Sequence, residues 1–503
     1  MKIGGVIRML ESFIPFLDKE RYLTVCFFEF FSNRGSAKNT VSFSELQDNL
    51  EISSYNLQKV LSTAQNLCSQ ISGLKLEQAQ DEKITLTGLT TLKLKKIILY
   101  EAHHSLRFKI FIHITLRPKG YSDAEFQQKH GISRATYFRQ KKLLLKDINT
   151  DIKNNMNSSE AYNRYYIYSV IYYFSYLDFI DNSSGKKDIA ASINYVTILL
   201  KLSPTNIQHK QHLYFVAVCY WRSKNGYKMS ENDEKYFADL KKTPDIKKMV
   251  DYFNRVWASS ETSAYRITNF VLTFLVTIEE LNTDILPNLQ DYDSVEKLTH
   301  QQIALIHHSL GKNFSQIGLR SLTNKLLKIN AEMLVPVYLD TSYNGMKDWK
   351  FYENSYLSIA YLARQLLQCR ADFKPARPLG ENENTQLYYS YLFTIFTEIP
   401  TTAFSDQVRI AVDFSQGIEY TDYIKKKLEE MALLNIKIDR FVNPKTDIYL
   451  TNNFDPAFKN DQVVWDHPPL TKDMVNLREL IVKVKNAKHK KTVNNDLNSD
   501  TEN

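Results

Sequence analysis

The residues whose types and spacing promise chemistry run from Tyr121 to Lys141. Ser122 and Glu125 stand three apart, the spacing of a helix capping box. Gly131 suits the left-handed turn that ends a short helix. Ile132 is expected to plug the core, and Ser133 to cap a second helix. On that helix Ala135, Phe138 and Leu143 are expected to face inward. Arg134, Thr136, Tyr137, Arg139, Gln140 and Lys141 are expected to face outward. Helix, glycine turn and polar-faced helix spell a helix-turn-helix. The chemistry of such a face is base and phosphate contact: arginine to guanine N7 and O6, hydroxyls to phosphate oxygens.

An earlier stretch, Phe43–Leu67, repeats the pattern without a turn glycine. Ser42 and Ser53 or Ser54 are candidate caps. Leu57, Val60, Leu61, Ala64 and Leu67 share an apolar face, leaving Tyr55, Asn56, Gln58 and Lys59 outward. Asn and Gln suit adenine edges, each good bidentate contact contributing about 1–3 kcal/mol of discrimination. Few such contacts are available, so modest sequence specificity with substantial shape readout is expected. Lys93, Lys95, Lys96 and Lys119 are further candidates for phosphate contact.

His209 and His212, three apart, share a helix face. No third ligand accompanies them, which disfavours zinc. A neutral imidazole can accept a phosphoryl group; the competing reading is a pair of ordinary surface histidines. Phosphate-cradling, nucleophile-elbow and zinc-protease motifs are absent. Glu279-Glu280 reads as a solvated face. Nothing demands an enzyme, a cofactor or a metal.

These residues must be held by a chain of 503 residues, enough for three to five domains. With 43% apolar and 24% charged residues the composition is globular. Residues 1–150 hold 22 Lys and Arg against 14 Asp and Glu, which accounts for the whole net charge of +8. A basic head on a neutral body suits a polyanion-binding head. Cys26, Cys68, Cys219 and Cys369 form no C-x-x-C pair and fit a reducing cytoplasm. No apolar run of membrane-spanning length and no signal peptide is evident.

Periodicity predicts helices over 18–31, 43–50, 55–67, 91–103 and 106–116, with a hairpin at 73–87. Residues 151–160 read as a linker and 370–385 as a long loop. After Thr401 the pattern becomes βαββα, closed by a helix at 477–485.

Taken together, these motifs resemble the Mga-type (Mga/AtxA-like) virulence transcriptional regulators of Gram-positive bacteria, which contain PRD modules controlled by the sugar phosphotransferase system. The resemblance is most specific in Phe43–Leu67 and Ser122–Leu145. It implies a mainly α, multidomain fold: a first winged helix-turn-helix domain (1–88), a second helix-turn-helix domain (89–160), PRD-like helical domains (161–284 and 285–400), an EIIB-like α/β domain (401–486) and a disordered tail (487–503). It implies a cytoplasmic, dimerising protein that binds A·T-rich or bent double-stranded DNA, with no membrane partner. It also implies phosphocarrier proteins as partners, with His209 and His212 matching the phosphoacceptor spacing of a first PRD. Val271–Asn282, where a second PRD would offer a histidine, has none. The loop Val412–Gly417 lacks the EIIB cysteine, so dimerisation or partner contact is expected there instead of phosphate relay. An RNA-binding antiterminator is the alternative, since PRDs occur in that class; a phosphotransfer component and a helical scaffold are weaker rivals.

Overall fold

The computed structural model describes residues 14–34, 39–79, 83–116, 120–152, 159–176, 185–238, 240–257, 260–336 and 350–499. Lys119 lies outside them. The chain divides into two compact units, one comprising Met1–Gln290 with Val335–Gly345, the other Asp291–Leu334 with Met346–Asn503. It is mainly helical, with a small four-stranded parallel sheet near the C-terminus.

The first unit opens with α1 (Lys19–Arg34), β1 (Thr40–Ser42), α2 (Phe43–Leu50), α3 (Ser54–Gln70), β2 (Lys75–Gln78) and β3 (Lys83–Thr87). The three strands form an antiparallel sheet in the order β1-β3-β2, with Val41 opposite Ile84 and Leu76 opposite Leu86. Phe27, Phe28, Leu46, Leu57, Ala64 and Ile84 make its core. Ser42 and Ser53 cap α2 and α3, as their types require. Where a turn glycine is missing, Glu51 itself adopts the left-handed conformation at φ 52°.

Then follow α4 (Thr91–His104), α5 (Leu106–Leu116), α6 (Asp123–Lys129) and α7 (Arg134–Ile152). Ser122 and Glu125 form the expected capping box, and Gly131 takes φ 61°. Helix α7 runs into the expected linker as far as Ile152; residues 153–158 lie outside the described set, and Ser159 caps α8 (Glu160–Tyr173). Among the described residues the α-helices that follow in this unit are α9 (Lys186–Leu199), α10 (Asn206–Lys224), α11 (Pro244–Val256) and α12 (Glu261–Thr277).

In the second unit, α13 (Tyr292–Leu310) packs on α14 (Leu319–Ala331). The short α15 (Lys350–Ser355) leads into α16 (Leu357–Gln368), which packs on α17 (Glu381–Glu398). The expected long loop is thus shortened by helix from Glu381. Tyr391 donates to Asn330 Oδ1 at 2.6 Å, and Asn330 donates to Gln302 at 2.8 Å, so this core is pinned by a buried polar chain.

Then come β4 (Val408–Asp413), α18 (Ile418–Glu429), β5 (Ile436–Asp439), β6 (Ile448–Thr451), β7 (Asp461–Val464) and α19 (Thr471–Ser499). All pairings are parallel, in the order β5-β4-β6-β7. The expected βαββα therefore gains an edge strand. The tail expected to be disordered from residue 487 is instead helical to Ser499. Polar anchors hold its start: Lys488 donates to the Gln407 carbonyl at 2.7 Å, and His489 Nδ1 lies 2.9 Å from Ser358 Oγ. Ser358 also bonds Asp406, which accepts from Asn435 at 2.7 Å and lies 3.6 Å from the buried Lys485 ammonium.

Candidate nucleic-acid interface

Helix α3 presents the expected face. Tyr55 is 66% exposed, Gln58 and Lys59 are exposed, and Asn56 is half-buried. The helix contains no Asp or Glu. Lys59 sits 4.8 Å from the Tyr55 ring centroid and 3.6 Å from Glu20.

Helix α7 is turned relative to expectation. Tyr137, expected outward, is fully buried, whereas Phe138, expected inward, is 44% exposed. Ala135 and Leu143 are exposed as well. The buried positions are Tyr137, Leu144 and Ile148, at i, i+7 and i+11. Hydrophobicity alone left the face open, because Tyr137-Phe138 and Leu143-Leu144-Leu145 satisfy either orientation. Polar partners decide it. Asp123, at the start of α6, lies 3.0 Å from His113 Nε2 and accepts from Lys141 Nζ at 3.2 Å. Burial raises the Asp123 pKa, but hydrogen bonds from His113, Tyr137 and Lys141 outweigh it and bring the carboxyl down to about 2. Arg107 on α5 donates to Gln140 at 3.2 Å and to Asp147 at 3.0 Å. Of the six expected recognition residues, Tyr137, Gln140 and Lys141 therefore bind the helix to its own unit. Arg134 and Arg139 remain exposed and Thr136 is half-buried, bonded to Ser133 at 2.9 Å.

Among the lysines, Lys93 clamps the strand hairpin, donating to the Gly73 and Gly88 carbonyls at 2.7 Å each. Lys95 lies 5.6 Å from the Tyr173 ring centroid, and Lys96 is exposed.

The histidine pair separates by burial. His209, in the first turns of α10, is exposed. His212 is buried, with Nε2 2.7 Å from Glu280 Oε2. Glu280, expected on a solvated face, is buried just past the end of α12, where Glu279 turns left-handed at φ 53°. Sequence reasoning missed Glu280 and His113 as buried partners of His212 and Asp123; an i, i+3 pattern reports one helix face and says nothing of what packs there. The far end of α10 carries Arg222, whose guanidinium pairs with Glu160 and donates to the Thr115 carbonyl at 3.0 Å. That carbonyl belongs to the last turn of α5, so α10 is wired to the helix that carries His113.

The four cysteines are free thiols. Among the described residues no helix is long and apolar enough to cross a membrane, and no cluster of His, Cys, Asp or Glu could hold a metal ion. No protein-family model and no curated protein matches the chain.

Proposed function

We propose that the protein is a DNA-binding transcriptional regulator, reading A·T-rich or bent duplex DNA through two helix-turn-helix units, the first winged by the β2–β3 hairpin. The observation that carries this reading is the pair of capped helices α3 and α7. Each follows a short helix and a left-handed turn, α3 and the Arg134–Lys146 part of α7 carry no Asp or Glu of their own, and both lie in the segment holding all the excess positive charge. Under this reading Tyr55, Gln58 and Lys59 form one contact face and Arg134 and Arg139 the other. The PRD-like and EIIB-like regions dimerise the chain, which doubles the reading heads and raises avidity.

Phosphotransferase control fits His209 better than His212. A phosphoryl group on His209 would sit in solvent near the positive end of the α10 dipole. On His212 Nε2 it would meet the Glu280 carboxylate at 2.7 Å. The Arg222–Thr115 link gives α10 a route to the second reading head.

A titration with duplex DNA across salt concentrations tests the reading, comparing the native chain with a double variant, Arg134→Ala with Arg139→Ala. The native chain should bind tightly with a steep salt slope. The variant's log–log slope should fall by about two, roughly 0.9 for each phosphate that is no longer neutralised. Salt-independent or absent binding by the native chain would refute it.

A further inference from the structure

We propose that α7 recognises thymine 5-methyl groups in the major groove, with Phe138 as the contacting side chain. The inference rests on the DNA-binding reading and specifies what the second helix detects. Phe138 stands in the second turn of α7, in the half of a recognition helix that enters the groove. It is 44% exposed while its neighbour Tyr137 is fully buried, so the helix spends its aromatic core position on tyrosine and turns phenylalanine to water. Ala135, one turn before it, is also exposed. Arg134, Arg139 and Lys142 flank this apolar centre, all three exposed, and the Arg134 guanidinium lies 5.7 Å from the Phe138 ring centroid. From Arg134 to Lys146 the helix carries no Asp or Glu.

A bare apolar patch would suit a protein partner. An apolar centre bordered by cations, with no acidic residue on its own stretch of helix, is complementary to a phosphate-lined groove that has something apolar at its floor. Among the base-pair edges of the major groove, the apolar group is the thymine methyl, and Phe and Ala are suited to it. The flanking arginines reach phosphates or guanine edges on either side.

The test uses two duplexes of the same alternating A·T sequence, one made with thymine and one with deoxyuridine, which lacks the methyl but keeps the same donors and acceptors. Each buried methyl should contribute about four-fold in affinity. The native chain should therefore prefer the thymine duplex by about four- to ten-fold. Phe138→Ala, a surface change, should bind both duplexes alike while keeping the native salt slope, and Phe138→Leu should restore part of the preference. Equal binding of both duplexes by the native chain overturns the inference and leaves DNA binding standing. An undiminished preference in Phe138→Ala overturns it too, moving methyl recognition to α3. Absence of binding to either duplex removes the DNA reading, and the inference with it.

Discussion

A half-buried carboxylate, Asp123, helps fix how helix α7 is presented. Asp123 gathers His113, Tyr137 and Lys141, and against the upward pull of burial their hydrogen bonds bring its pKa down to about 2. Because the folded pKa lies below the unfolded value, this stability is complete above about pH 4 and is lost as pH falls toward 2. Asp123→Asn should cost the α6–α7 pair about 1–2 kcal/mol at neutral pH, allowing for partial solvent screening. It should also flatten the acid dependence, read as amide hydrogen exchange across residues 123–145. Glu29 on α1 has the opposite sign. Burial raises its pKa to about 7, so its folded form holds a proton that the unfolded chain releases. Stability from this group is full below about pH 4.5 and falls as pH rises to 7. Glu29→Gln should therefore stabilise the first unit at pH 8, by about 2 kcal/mol, and remove that slope. Backbone roles were unevenly legible at this scale. Gly131 announced its left-handed turn by its type, but Glu51 adopts the same conformation with no signal in its side chain. Gly131→Ala should cost about 1 kcal/mol, measured by the same exchange.

At the scale of elements, the sequence shows helices by period and caps, and their ends follow closely: α2 matches 43–50 and α5 matches 106–116. What it did not show is rotation. The faces of α3 were readable because Leu57, Val60, Ala64 and Leu67 have no competing aliphatic neighbours on the outer side. Those of α7 were not, because its register is set by Asp123 and Arg107, which come from other helices. Strand β7 escaped for a different reason. Its four residues, Asp461–Val464, show neither alternation nor a sustained apolar run, and their strand character comes from pairing with β6. Helix α10 offers an element-level test. Arg222→Met leaves the Thr115 carbonyl without its donor and Glu160 with only Arg164, and should cost about 3 kcal/mol. The measurement is the loss of exchange protection in α5, α8 and α10 together.

For the whole molecule, the basic head and neutral body were visible in the charge count, and the mainly helical build in the scarcity of glycine. The burial of His212 against Glu280 was not, because it joins a residue of α10 to one 68 positions later, just past the end of α12. Incubation with phosphoenolpyruvate and the general phosphotransferase proteins should label His209 and spare His212. His209→Ala should abolish the label, as read by mass spectrometry; labelling that survives it sinks the assignment. The Asp406 network carries a last consequence, for the order in which the chain becomes a protein on the ribosome. Ser358 and Asn435 are synthesised well before Lys485 and His489, yet Ser358, Asn435 and Lys485 meet at one buried carboxylate and His489 joins it through Ser358. Until residue 485 emerges, Asp406 lacks the Lys485 ammonium 3.6 Å away, and the cost of burying a carboxylate without that cation should delay closure of the second unit. The paired residues of the first unit described above all precede residue 291, whereas the Asp406 network is complete only with α19. A nascent chain stalled before that helix would carry a second unit without its last ion pair, the kind of incompletely packed core that chaperones and proteases act on.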